Sequence, residues 1–301
     1  MKGRAGLVGF LVLLGAGWGL TGVLAKIAIE GGHRHFGMIF WQMVISALVL
    51  GALTYLRGKR PGLGRRQIAF YLFIALTGTV LPNAAGYTAL ERLPAGVQAI
   101  TIAAVPMFAF PIALLLRNES FRLMRLAGLG VGLAGVALLV APETSLPPGV
   151  ALWVPVALIA PLLYGIEGNV VAKWGTAGLD PIQALFGASV LGACLSLPLA
   201  LGTGAFIDPT LPWNGADWAL IGSSTIHALV YSGYVWLVGR AGPSFAAQVS
   251  YLVTGFGVLW AMALLGENYS GWVWAALGLM MLGLFLVQPR ESRLPEAPAR
   301  A

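Results

Sequence analysis

The sequence has little of what a soluble enzyme is built from. Among 301 residues there are one cysteine, three histidines and 11 acidic side chains, and only 10% of residues are charged. A single thiol, Cys194, excludes an intramolecular disulfide, and its place in an apolar run reads as a small core residue. No second His, Cys or carboxylate lies at ligand spacing from the deeply placed His227, so no metal site is expected. No phosphate-cradling G-x-x-x-x-G-K-[ST] run occurs, which excludes direct ATP drive, and no cofactor is expected. The net charge of +7 comes without aromatic interleaving or a soluble module, so nucleic acid is not an expected partner.

What is present is apolar. Hydrophobic residues make up 58% of the chain and mean hydropathy is +0.84, more than a soluble core can bury. Crossing a bilayer takes about 20 apolar residues in helical form. Ten segments meet that description, at 6–28, 36–56, 67–90, 94–116, 123–141, 150–172, 181–202, 217–238, 243–266 and 271–289. The first reads as a spanning helix rather than a cleaved leader, because it is long and shares a motif with the chain interior. Counting loops from an internal N-terminus, 15 of the 18 Lys and Arg fall on the cytoplasmic side, and only Lys26, Arg34 and Arg92 do not. That asymmetry predicts both termini inside. The tail over 290–301 is proline-rich and polar and is expected to be a disordered cytoplasmic extension.

The chain also repeats itself. Glu119, Gly130 and Gly135 recur as Glu267, Gly278 and Gly283, each 148 residues on, and AGYTAL over 85–90 returns as SGYVWL over 232–237. Trp18-Gly19 with Lys26 is echoed by Tyr164-Gly165 with Lys173. The units are 1–142 and 143–289. With five helices in each, the second enters the membrane from the opposite side, and the expected fold class is all-α, ten transmembrane helices as two inverted five-helix repeats. Such repeats place a substrate site near the midplane between the halves.

Polar and deep aromatic side chains nominate that site. On the first, third, fourth, sixth, eighth and ninth segments the candidates are Trp18, Thr21, Asn83, Tyr87, Gln98, Thr101, Tyr164, Glu167, His227, Tyr231, Gln248 and Tyr251. Polar groups this deep either line a cavity or bond a neighbouring helix. Glu167, the one carboxylate well inside a span, is a candidate proton site or else a structural partner of Asn169 or Lys173; His227 is the alternative proton site. Lys26 pairs with Glu30 one turn on, or holds an anionic substrate. Pro82, Pro106 and Pro161 predict bends, since proline frees a carbonyl that only a polar neighbour or water can satisfy. The glycine-rich fifth and tenth segments read as scaffold or dimer-interface helices. The 57–66 run, RGKRPGLGRR, reads as an anchor to anionic lipid.

Taken together, the W-G of the first segment, the A-G-Y-x-x-L of the third with its echo, and the Glu followed eleven residues later by Gly and five further by Gly resemble the drug/metabolite transporter superfamily, the ten-helix EamA-type exporters. The likeness covers the whole chain and is nearest to bacterial exporters of aromatic and other amino acids. It implies efflux of amino acids through the cell inner membrane, with no catalytic residue. Many relatives start the second helix or its equivalent with an arginine, where this register holds Gln42 and Gln183. That departure argues against an anion-selective carrier. Two other readings stay open: a nucleotide-sugar or phosphorylated-metabolite carrier of the same fold, which would need intramembrane Lys or Arg, and a membrane-embedded enzyme, which would need a carboxylate cluster or a nucleophile with its base.

Overall fold

A computed structural model describes residues 2–140, 146, 149–210, 212–241, 243–246 and 248–287. The expected cytoplasmic tail lies outside them. Among the described residues every regular element is helical, with α1 at Lys2–Glu30, α2 at His35–Leu56, α3 at Arg65–Ala75, a π-helical turn at Leu76–Val80, α4 at Leu81–Leu90, α5 at Ala95–Ile102 and α6 at Val105–Leu115. There follow α7 at Leu123–Val140, a 3-10 turn at Ala151–Trp153, α8 at Val154–Ala157, α9 at Ile159–Trp174, α10 at Pro181–Gly202, α11 at Gly215–Ala241, α12 at Pro243–Ala246, α13 at Val249–Leu265 and α14 at Gly271–Val287. Each expected segment coincides with one helix or with a broken stack of helices. Among the described residues six stretches are long and apolar enough to cross a bilayer, and Leu123–Leu139, Val249–Leu265 and Gly271–Val287 are apolar but shorter.

The breaks follow the prolines. The π-helical turn immediately precedes Pro82, the α5–α6 break at Ala103 and Ala104 precedes Pro106, and the α8–α9 break at Leu158 precedes Pro161. In each case the missing proline N–H withdraws a partner from the turn before it. Pro111 and Pro198 sit inside unbroken α6 and α10, so a proline permits a break without enforcing one.

Packing is reciprocal between the halves. Helix α1 lies against α11 and α13, while α9 lies against α4 and α6; α2 meets α11, while α10 meets α3; α2 with α10, α5 with α13 and α7 with α14 pair across. The tightest approaches repeat too. A side chain on Gly19 would collide with Gly257 N at 2.7 Å, and one on Gly165 with Ala109 N at 3.0 Å, so backbone meets backbone at both crossings. Gly128, Gly135 and Gly283 are spent on the α7–α14 pairing, where a side chain at Gly283 would come 2.7 Å from Gly132 N.

Loop contacts sort the helix ends into two groups. At one end Arg57 and Lys59 hold Asp180 at 2.9 and 3.1 Å, Lys173 donates to Leu116 O at 2.8 Å, and the Asn118 amide donates to Asn169 O at 2.9 Å. At the other, His33 meets Asp217 at 2.9 Å, the Trp41 indole donates to Ile207 O at 2.9 Å, and Lys26 donates to Leu90 O and Leu93 O at 2.7 and 3.2 Å. The basic loop residues Arg57, Lys59, Arg117 and Arg122 share the first end; Lys26, Arg34 and Arg92 share the second. Lys26 does pair with Glu30, at 3.6 Å, and it also holds the Leu90 carbonyl at the end of α4 and the Leu93 carbonyl in the loop beyond.

The recurring acidic landmarks act at helix ends. Glu267 accepts from Ala95 N at 2.7 Å and Gly96 N at 3.1 Å, the open N-terminus of α5 in the other half, and the Tyr269 hydroxyl donates to the same carboxylate. Glu119 pairs with Arg125.

Candidate functional site

Between the halves lies a cavity of about 490 Å³, walled by α1, α2, the α3–α4 stack, α5, α6, α9, α10, α11 and α13. Neither α7 nor α14 reaches it. A second, more open pocket of about 480 Å³ surrounds His33 and Asp217 at the loop end and holds none of the expected site residues.

Nine of the twelve candidates line the central cavity: Trp18, Thr21, Asn83, Tyr87, Gln98, Tyr164, Glu167, His227 and Tyr231. Three do not. Thr101 is fully buried, and its hydroxyl donates to Gln98 O at 2.7 Å. Gln248 sits at the α12–α13 break with its side chain exposed, so α13 presents Val249, Ser250 and Val253 instead. Tyr251, one residue beyond Ser250, points away and its hydroxyl is buried without a partner. Residues outside the expected set also contribute: Gln42 and Ser46 on α2, Ser189 on α10 and Tyr234 on α11. A glutamine and a serine four apart in the middle of an apolar span were the available signal for α2. Register obscured it, because Gln183 is no counterpart of Gln42. Gln183 belongs to the capping box of Asp180 at the start of α10 and donates to Arg60 O at 2.8 Å, at the membrane edge.

Three polar groupings furnish the walls. In the first, Gln42 Oε1 accepts from Asn83 Nδ2 at 2.8 Å and from the Tyr87 hydroxyl at 2.7 Å, which ties α2 to α4. This leaves the Gln42 amide N–H groups and Asn83 Oδ1 open. In the second, the Trp18 indole donates to His227 Nδ1 at 3.3 Å, and Trp18 packs edgewise on Tyr231 with centroids 5.7 Å apart and against Tyr234 at 5.4 Å. Indole is a donor only, so the histidine accepting at Nδ1 is the neutral tautomer protonated on Nε2.

The third grouping is Glu167 on the π-helical turn. Its Oε2 lies 3.3 Å from Thr77 Oγ1, yet that hydroxyl donates its one proton to Phe73 O at 2.8 Å. A methyl on Gly78 would overlap Oε2, so the carboxylate rests against bare backbone. π-Helical turns are rare and gather at functional positions. Neither structural partner expected for Glu167 engages it: Asn169 Nδ2 donates to Ala109 O and Gly165 O, both at 2.9 Å, and Lys173 binds Leu116 O. Among the described residues Glu167 is the only acidic side chain on the cavity wall, and no Lys or Arg joins it. Lys26, in particular, is absent from the wall.

Comparison with known proteins agrees with this architecture. The EamA-like transporter family matches residues 6–141 and again 151–288. The chain is 24% identical to an Escherichia coli K12 protein described as uncharacterized inner membrane transporter YedA, over 98% of this chain and 94% of that one. It is 22% identical to a Synechocystis protein described as uncharacterized transporter sll0355, over 73% and 71% of the two chains. A solved structure, described only as the crystal structure of a protein, superposes with a TM-score of 0.62 at 19% identity over 92% of this chain and 95% of its own, which shows the shared fold. With the family matching both halves around one helix-lined cavity, the chain belongs to the EamA-like transporter family and is a multi-pass transporter of the inner membrane.

Proposed function

We propose that this protein is a secondary transporter that exports amino acids, aromatic ones included, or similar small metabolites by alternating access at the central cavity. In this reading ten crossings form two inverted five-helix repeats over 1–142 and 143–289, with both termini in the cytoplasm, and the halves rock about the site. The observation that carries it is the wall itself: aromatic faces, amides and hydroxyls with a single carboxylate, between halves whose packing is reciprocal. Aromatic and apolar surface supplies contact area, and a few polar groups fix orientation. Glu167 is the proposed proton site and His227 the alternative. A phosphorylated-metabolite carrier would desolvate phosphate against a wall that holds no Lys or Arg among the described residues, which disfavours it. An embedded enzyme would need a base beside a nucleophile, and the neutral His227 is engaged by Trp18.

The test is uptake by purified protein in liposomes under an imposed pH gradient, with labelled phenylalanine, threonine and a sugar phosphate in parallel. Gradient-dependent movement of the amino acids supports the proposal. Movement of the sugar phosphate alone overturns it.

A further inference from the structure

Several acceptors on the cavity wall are left without a partner. Gln98 Oε1 is buried with no hydrogen-bond partner, as is the Ser46 hydroxyl, whose oxygen can also accept. Asn83 Oδ1 is open because its amide nitrogen is spent on Gln42. Among the described residues Glu167 has no cation within reach and no committed donor, since the Thr77 proton goes to Phe73 O. Leaving a carboxylate so is costly at membrane depth, and the structure offers no protein group to offset it. Beside it, Tyr164 stands one turn earlier on the same helix, and Trp18 and Tyr231 present rings to the same space. A negative charge flanked by aromatic faces and bare acceptors is the complement of an ammonium group, which takes charge-assisted hydrogen bonds from the acceptors and cation–π attraction from the rings.

We infer that Glu167, with Gln98 and the rings of Trp18 and Tyr231, forms an ammonium subsite, and that the preferred substrates are amines carrying net positive charge rather than zwitterions. A zwitterion brings its own carboxylate into the same cavity of about 490 Å³ that holds Glu167, where no Lys or Arg among the described residues balances it. The two like charges repel in a poorly screened space. A free carboxylic acid has the repulsion without the ammonium. The order of affinity is therefore amine, then amino acid, then acid. The inference rests on the cavity being the transport site, and among the small metabolites proposed above it moves the preference from amino acids to net-cationic amines.

Four probes on one skeleton decide it: phenethylamine, phenylalanine, 3-phenylpropanoate and the neutral 2-phenylethanol, with affinities measured by calorimetry on the full chain in nanodiscs. Phenethylamine is expected to bind more tightly than phenylalanine by about ten-fold, because only the amino acid brings a second carboxylate into the space of Glu167, with 3-phenylpropanoate weakest. In Glu167→Gln that preference collapses to within about two-fold, while 2-phenylethanol binds as in the wild type, which shows that the cavity has kept its shape. Phenylalanine binding as tightly as phenethylamine, or an amine preference that survives Glu167→Gln, overturns the subsite and leaves the exporter reading intact. If none of the four binds, the cavity is not the site and both readings fall.

Discussion

The Trp18 indole and the His227 imidazole, 209 residues apart in sequence, share a hydrogen bond of 3.3 Å across the line between the two halves. It fixes the histidine tautomer and holds the α1 ring upright against Tyr231. Trp18→Phe keeps an aromatic face but removes the donor, a loss of about 1 kcal/mol. Substrate affinity should weaken by roughly five-fold with the thermal stability of the detergent-purified protein little changed. An affinity equal to that of the wild type would show that the bond does not position the site.

Gly78 should tolerate nothing larger. Its α-carbon faces Glu167 Oε2, so Gly78→Ala must displace the carboxylate or the π-helical turn, at a cost of about 1–3 kcal/mol. Transport is expected to fall at least as far as in Glu167→Gln. The shorter Glu167→Asp in the same chain should restore part of the lost activity by withdrawing the carboxylate from the new methyl. Failure of the double variant to exceed Gly78→Ala would place the damage in the helix rather than in the contact.

Asp180, between α9 and α10, pairs with Arg57 and Lys59 in the loop after α2 and caps α10 through Ile182 N at 3.0 Å. Burial works against its charge, but the hydrogen bonds from Arg57, Lys59 and Ile182 N–H outweigh it and hold the carboxyl below its ordinary value. A carboxyl depressed in the folded state adds stability that is present above its unfolded pKa, about 3.9, and is lost as pH falls toward the folded value. Asp180→Asn keeps a capping oxygen and should lose at most about 1 kcal/mol, since Arg57 and Lys59 are partly exposed. Thermal unfolding in mild acid should then show a flatter pH dependence for the variant, and an unaltered slope would argue that the ion pairs contribute nothing.

Glu267 is expected to matter more for stability than for transport. Glu267→Ala leaves Ala95 N and Gly96 N bare at the start of α5, costing about 2 kcal/mol, while the cavity keeps its residues. The melting temperature should drop clearly, and probe affinity at saturating protein integrity should hold. Loss of affinity without loss of stability would contradict the capping role.

The sequence reveals the spans because a bilayer leaves no other choice for runs of such apolarity. It reveals where the helices break, since Pro82, Pro106 and Pro161 mark the places, but not how they break: nothing in LTGTV distinguishes a π-helical turn from a kink. The misplaced candidates have a simpler cause: Tyr251 lies on α13 between the wall residues Ser250 and Val253 but on another face, and Gln248 stands just before that helix, so polar character alone did not set the register. On α2, aligning Gln42 with Gln183 hid a cavity residue, because counting from Arg34 and Asp180, the residues before the two helices, sets Gln42 opposite Ala188. Close backbone approach, as at Gly19 with Gly257, could be guessed from glycine density but not assigned to a partner.

The orientation in the membrane can be read by thiol accessibility, and Cys194 is the only native thiol to remove. In a Cys194→Ser background, single cysteines at Leu63 and Ser120 would report the end that carries Arg57 and Lys173, and single cysteines at Thr210 and Asn268 the end that carries His33 and Glu267. All four positions are exposed and lie in loops between helices. With 15 of 18 basic residues assigned to the cytoplasmic side, the first pair should resist an impermeant maleimide added to intact cells and react only after permeabilisation, and the second pair should react at once. Uniform reversal of the pattern would place both termini outside yet preserve the two-ended sorting of the loops. A mixed pattern, with Leu63 and Ser120 on opposite sides, would break the alternation of crossings on which inversion of the repeats depends.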